Sequence, residues 1–189
     1  MPELIHSGNQ GGATSPQRIV LALLFLSLAA CAGPTGPQGL AAQDLLTDRG
    51  KSCRVTRVLD GDTFDCVPYG RIRLLMVDTP EWNQGTLGPR ATAALSSMIP
   101  VGMRVELETD VEPVGPYGRL LAYVYLPDGR MVNEELLRRG MALLAVYPPN
   151  TRYLARFREI AEEAKDRRSG FWAESGFDCT PYGFRRNLC

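Results

Sequence analysis

Residues 53–81 read CRVTRVLDGDTFDCVPYGRIRLLMVDTPE, and the reading of this stretch decides the fold. Two β-rich runs, 53–59 and 63–69, flank Asp60-Gly61-Asp62, a turn signal of the kind that joins antiparallel neighbours. A third run, 71–77, alternates Ile72, Leu74 and Met76 with Arg71, Arg73 and Leu75. Side chains on a strand alternate between faces, so the pattern predicts one strand with both arginines opposite the apolar set. Pro80 ends it, because proline cannot continue a strand ladder. Asp62 opens the second run and Asp78 closes the third, so antiparallel pairing of the two is expected to bring both carboxylates to one end of the sheet.

Downstream, Pro89 is expected to open a helix through Ile99, with Ala91, Leu95 and Met98 on one face. Strands are expected at 103–109 and 119–126. Asn133 has the look of an N-cap for a short helix that Gly140 ends. Residues 151–169 place Leu154, Phe157, Ala161 and Ala164 at helical spacing, with Gly170 as the stop. Five strands with one helix before the fourth predict an α+β, mostly β fold: a five-stranded Greek-key barrel of the OB type packed with about three helices.

The chain has 189 residues, 44% of them hydrophobic, with 21 Lys and Arg against 21 Asp and Glu. That describes one globular domain with an appendage and excludes disordered, fibrous and polytopic membrane classes. A protein that holds nucleic acid by phosphate neutralisation alone carries a clear positive excess, so any such role here needs a local site. Residues 138–189 hold ten basic residues against six acidic, which reads as a local basic face or as a solvated helix surface.

Ile19 to Ala30 is an apolar run of 12 residues, too short to span a bilayer and suited to the core of a secretory signal. The ending Leu28-Ala29-Ala30-Cys31 resembles a bacterial lipobox, in which cleavage leaves an acylated Cys31. The expected organisation is a signal at 1–30, a flexible tether at 31–52, the barrel domain at 53–174 and a Cys-containing tail at 175–189. Export to the cell envelope, membrane attachment through Cys31, and no protein partner beyond a monomer are the matching expectations. Cys53, Cys66, Cys179 and Cys189 then remain, an even number in a compartment where disulfides persist. Four cysteines allow three pairings, of which the two local ones, Cys53 with Cys66 and Cys179 with Cys189, are favoured. Without a CxxC element, and with the single His at position 6, a zinc site is not expected.

Charges converge in four segments: Asp60-Gly61-Asp62-Thr63, Arg73 through Glu81, Tyr117-Gly118-Arg119, and Tyr147-Pro148-Pro149-Asn150. Singly, each reads as ordinary turn chemistry. Together, Asp62, Asp78 and the Thr79 carbonyl make a hard-oxygen ligand set of the kind Ca²⁺ prefers. Glu81, held close by Pro80, can orient or deprotonate a water. Arg73 and Arg119 offer planar guanidinium groups that match phosphate oxygens, Arg119 directly after a glycine expected to let the backbone come close. A metal, a water-activating carboxylate and two arginines are the parts needed for phosphodiester hydrolysis.

VTRVLDGDTF, RIRLLMVDTPE, YGRLLAYVYLPDGRMVNEELLRRG and the Pro-Asn turn resemble the staphylococcal nuclease (thermonuclease) family over about residues 53–174. The resemblance implies an OB-fold, Ca²⁺-dependent nuclease that cleaves DNA and RNA with little sequence preference, by water attack on phosphorus, leaving 3′-phosphate ends. It implies Ca²⁺ at Asp62, Asp78 and Thr79, water activation at Glu81, and phosphate binding at Arg73 and Arg119. It also sets Tyr117 and Tyr147 along the nucleotide and Asp60 close behind the metal. Departures concern substrate grip: the loop WNQGTLGPR after Glu81 is short and lacks lysine, Ala145 stands where a nucleotide-contacting tyrosine is expected, and Gly115-Pro116 replace an acid and a lysine. The competing readings are an OB-fold module that binds single strands or another anionic polymer without cutting, and a purely structural envelope lipoprotein.

Overall fold

The computed structural model describes residues 49–174 and 176–189. The expected signal segment, Cys31 and most of the tether lie outside them. Among the described residues no helix is long and apolar enough to cross a membrane.

Five strands close into a barrel: β1 (Arg49–Val58), β2 (Thr63–Val67), β3 (Gly70–Leu74), β5 (Arg104–Glu108) and β6 (Leu120–Tyr125), in the order β1-β2-β3-β6-β5. All neighbours are antiparallel except β3 and β6, which run parallel, so the expected five-stranded OB-type barrel is mixed. β1 begins at Arg49, ahead of Cys53, and is long enough to pair with both β2 and β5. A disulfide joins Cys53 to Cys66 across the β1–β2 hairpin, with the two Cα atoms 5.7 Å apart.

The third strand is not continuous, as the alternation of residues 71–77 had implied. β3 stops at Leu74, the chain turns through Leu75 and Met76, and β4 (Val77–Asp78) leaves the barrel to pair with β7 (Leu143–Leu144). Met76 takes a left-handed backbone conformation, φ 60°, which costs an ordinary side chain about 1 kcal/mol or more and must be held from outside. Asn133 does much of the holding. It is fully buried, and its amide group donates to the carbonyls of Leu75 (2.8 Å) and Ala122 (3.4 Å) while its Oδ1 accepts from the N–H of Val124 (3.0 Å). Asn133 is therefore not a helix cap. The helix that carries it, α2 (Val132–Arg138), starts one residue earlier, with Met131 in the capping position and no side-chain cap.

α1 (Leu87–Met98) buries Ala91, Leu95 and Met98, the stripe read from the sequence, and Pro89 lies in its first turn, where a missing N–H costs nothing. α3 (Leu154–Asp166) buries Phe157 and Ala164. Leu95, Met98 and Phe157 join Phe64, Ile72, Leu74, Leu107, Tyr123, Leu136 and Leu137 in the main core, which fills the barrel and the space between it and the helices, while Ala91 packs with Phe171 and Phe177 in a smaller second cluster. A short fourth helix, α4 (Pro181–Arg185), follows the 3-10 turn Gly170–Glu174. It lies in a loop closed by the Cys179–Cys189 disulfide.

Replacing Asn133 by Ala removes the partners of one buried N–H and one buried carbonyl. Unmet buried polar groups cost about 1–3 kcal/mol each. Asn133→Ala is expected to lower stability by about 2–4 kcal/mol in denaturant titration, as a lower midpoint with the slope unchanged. A loss near zero would show that Asn133 does not hold the β3–β4 turn.

Candidate functional site

At one end of the barrel the β1–β2 turn, the β3–β4 turn, the loop before β6 and the turn after β7 surround a cleft of about 620 Å³. Asp60, Asp62, Arg73, Asp78, Thr79, Glu81, Tyr117, Arg119 and Tyr147 all line it. The structure thus brings together every residue proposed for chemistry or substrate contact.

The ladder explains the first contacts. Thr63 and Arg73 are register partners on β2 and β3, and the N–H of Leu74 donates to the Asp62 carbonyl at 2.9 Å, so Arg73 stands beside Asp62. Its Nε lies 3.0 Å from Asp62 Oδ1. Its Nη1 donates to the carbonyls of Leu74 and Val77 at 2.5 and 2.7 Å, and its Nη2 reaches Asp78 Oδ1 at 3.4 Å. One guanidinium therefore spans both carboxylates and also closes the break between β3 and β4. Asp62 Oδ2 accepts from the N–H and the hydroxyl of Thr79, at 3.0 and 3.1 Å, which locks the Asp-Thr-Pro-Glu segment against the β1–β2 turn. Gly61 permits this: a Cβ there would come within 2.6–2.8 Å of the Thr79 and Ala91 side chains.

Asp60 accepts from the N–H of Asp62 at 3.0 Å. Burial first, and then the charge of Asp62, push its carboxyl up to about 6, against the opposing pull of hydrogen bonds from Asp62 and Thr63 and of the Arg73 charge. Near neutral pH, holding Asp60 ionised costs the folded protein stability, because the unfolded chain releases that proton more easily. Positive charge brought into the cleft would relieve this cost.

Glu81 sits on a turn fixed by Gln84, a residue without a signal in the sequence. Gln84 is buried; its Oε1 accepts from the Glu81 N–H at 3.2 Å and its Nε2 donates to the Cys179 carbonyl at 2.8 Å. On the facing rim, Tyr117 is fully exposed with a left-handed φ of 65°, and Gly118 follows at +70°. Gly118 serves the turn and not a close backbone approach, since a Cβ there would meet nothing within 4 Å. Arg119 stacks over the Tyr117 ring at 5.8 Å and donates through Nε to Pro116 O at 3.3 Å. Its two Nη groups make no hydrogen bond among the described residues. Tyr147 is exposed on the turn that Asn150 pins to the neighbouring loop through paired 2.8 Å bonds with the Glu112 backbone.

The residue most clearly missed is Arg185. From α4 its Nη1 and Nη2 grip the two oxygens of Asp78 at 3.0 and 2.9 Å, and Nη1 also reaches Glu81 Oε1 at 2.5 Å. Hydrogen bonding to Asp78, then to Glu81, holds this guanidinium even more firmly protonated than usual. The basic excess of residues 138–189 is largely spent in ion pairs. Arg138 and Arg139 meet Glu135, Arg152 meets Glu108, Arg156 meets Glu134, and Arg167 meets Glu163, with Arg185 on Asp78. A solvated, paired surface is the better reading of that segment.

Among the described residues no group of three or more His, Cys, Asp and Glu is arranged to hold a metal. Two buried carboxylates bridged by one guanidinium are nonetheless a hard-oxygen donor pair suited to a small divalent cation completed by carbonyl and water ligands.

Residues 71–174 match the family described as staphylococcal nuclease homologue. The chain is 39% identical over 131 residues to Endonuclease YncB of Bacillus subtilis (strain 168), covering 64% of this chain and 61% of that protein. It is 37% identical over 138 residues to the SPbeta prophage-derived endonuclease YokF of the same organism, covering 68% of this chain and 46% of that one. To a thermonuclease of Staphylococcus intermedius it is 38% identical over 135 residues, covering 66% of this chain and 77% of that enzyme. The chain therefore spans roughly half to three fifths of the two Bacillus endonucleases and most of the thermonuclease. A family match over more than half of the chain makes this protein a member of the staphylococcal nuclease family.

Proposed function

We propose that this protein hydrolyses phosphodiester bonds of DNA and RNA, with Ca²⁺, little sequence preference and 3′-phosphate products. The observation that carries the reading is the set of charges in the cleft. Three carboxylates, Asp62, Asp78 and Glu81, line the same cleft as Arg119, whose two Nη groups are uncommitted among the described residues. A phosphodiester needs that combination, carboxylates that can hold a cation and a free guanidinium that can hold an anion. The names of the relatives, endonuclease and thermonuclease, support the same class of activity.

Asp62 and Asp78, with the Thr79 carbonyl, would hold the cation, with Asp60 behind it. Bound there, Ca²⁺ would supply positive charge to the phosphate oxygens and a ligand position for water. The remaining work falls to the chain. Glu81 orients a water and accepts its proton, on a turn that Gln84 keeps in place. Arg119 grips two phosphate oxygens through its fork, preset by the stack on Tyr117. Arg73 neutralises the carboxylate pair and has little donor capacity left for the substrate, since Asp62, Leu74, Val77 and Asp78 take most of its N–H groups. Exposed Tyr117 and Tyr147 offer ring faces to bases or sugars, contacts that tolerate any sequence. We place the enzyme outside the cytoplasm, anchored through Cys31, a setting with which the two disulfides agree.

One observation favours the second reading, a module that binds nucleic acid without cutting: Arg185 pairs with both Asp78 and Glu81. The test is incubation of the purified, oxidised protein with single-stranded and duplex DNA, in Ca²⁺ and then in excess chelator. Calcium-dependent fragments ending in 3′-phosphate are expected. Intact DNA in both conditions, from folded protein, would select the binding module. Glu81→Gln is expected to lower turnover by about a hundredfold or more while folding and substrate affinity persist. Arg119→Lys keeps the charge but loses the fork, and a rate loss of roughly tenfold to a thousandfold is expected. Parental single-turnover rates in either variant would remove that residue from its role.

A further inference from the structure

The tail is built into the cleft. Phe177 is buried edge-on against Phe171, with ring centroids 5.7 Å apart, and packs on Trp172 at 4.7 Å. Two residues later the Cys179 carbonyl is held by Gln84, the side chain that also fixes the Glu81 backbone. Thr180 then caps α4 by accepting from the Gly183 N–H at 3.0 Å. The Cys179–Cys189 disulfide closes the segment over a separation of ten residues. The next arginine in the loop behaves differently from Arg185: Arg186 stacks over the Tyr182 ring at 5.2 Å. The loop thus delivers one particular guanidinium, and it delivers it onto both oxygens of Asp78 and one of Glu81.

That placement sets Arg185 in competition with a divalent cation for Asp78. A calcium ligand oxygen lies about 2.3–2.6 Å from the ion, so ion and guanidinium would compete for the same lone pairs at about 4 Å from each other, where like charges repel. Asp78 is buried, with its side chain 7% exposed, and Arg73 also reaches its Oδ1, so few acceptor positions are left for an ion while Arg185 is seated. We propose that Arg185 is an internal competitor for the cation site: seated, it neutralises Asp78 and Glu81, and cation binding requires the disulfide-closed loop to release it. The proposal rests on the cation-dependent reading above, since it concerns the same carboxylates. Its quantitative consequence follows from population arithmetic: if the released form is about a tenth of the molecules or less, apparent cation affinity falls by about tenfold or more below that of the open site. The disulfide adds to this by shortening the ensemble the loop explores once released, which favours reseating.

The test is calorimetric titration of Ca²⁺ into the oxidised protein and its variants, with hydrogen exchange of the tail followed by mass spectrometry. Arg185→Gln is expected to bind Ca²⁺ at least about tenfold more tightly than the parent, and Arg185→Lys, which lacks the fork, to fall between. Arg186→Gln removes from the same loop a charge that stacks over Tyr182 and not on Asp78, and a change under about twofold is expected, as suits an exposed, screened charge. In the parent, saturating Ca²⁺ is expected to speed exchange over residues 180–189. Equal affinities in parent and Arg185→Gln, or unchanged exchange, would overturn the competitor. If the parent cleaves DNA with Ca²⁺ while those affinities are equal, the nuclease reading stands and only the competitor falls. Tighter binding by Arg185→Gln with no cleavage by either protein keeps the competitor and removes the nuclease. Binding by none of the proteins overturns the competitor and the calcium site together.

Discussion

Two buried carboxylates, Asp62 and Asp78, share one guanidinium, and the counter-charge they need organises the molecule around Arg73. Its contacts to Asp62 and Asp78 offset the repulsion and the lost hydration of the pair. Its bonds to the carbonyls of Leu74 and Val77 turn the chain out of the barrel, so that Asp78 arrives on β4, paired with β7, and not at the end of β3. The charge pair and the backbone break therefore require each other. Asn133 and Thr79 complete the lock, one binding the Leu75 carbonyl from α2, the other binding Asp62 from beyond β4.

Much of the fold was legible because it is written in local periodicity. Ile72 and Leu74 alternate as a half-buried strand must, and Ala91, Leu95 and Met98 recur at the spacing of one helical face. The break at Leu75 was not legible. Leu-Leu-Met-Val has the composition of a continuing strand, and the break is held by Arg73 on the Leu74 and Val77 carbonyls together with Asn133, a side chain 58 residues from Leu75 in sequence. Asn133 misled for the same reason. An asparagine ahead of Glu-Glu-Leu-Leu carries the local signature of a cap, and only the tertiary structure shows its amide turned into the core, joined to β6 and the β3–β4 turn.

The site divides along similar lines. Asp62, Asp78, Glu81, Arg119 and Tyr117 sit in or beside turns, where charged and strained residues stand out against what the turn itself needs. Gln84 and Arg185 act through partners 95 and 104–107 residues distant. Nothing about Cys-Thr-Pro-Tyr-Gly-Phe-Arg-Arg says which barrel end it will meet. A paired cysteine loop announces that its contents are held, but not against what.

Charge accounting gives the cleft its character. With Arg185 seated, Asp62, Asp78 and Glu81 face Arg73 and Arg185, and most of the remaining basic residues of the C-terminal third are committed to glutamates. That pairing agrees with a chain whose acids and bases balance at 21 each. Phosphate recognition must then come from a few oriented donors, chiefly the fork of Arg119 held over Tyr117. Phosphate contacts position a strand without reading its bases, and exposed rings stack on any of them. A neutral chain with one oriented fork and two exposed tyrosines suits local contact with a nucleic-acid backbone, and under the proposed competition the seat of Arg185 on Asp78 would set how far those carboxylates are open to a cation.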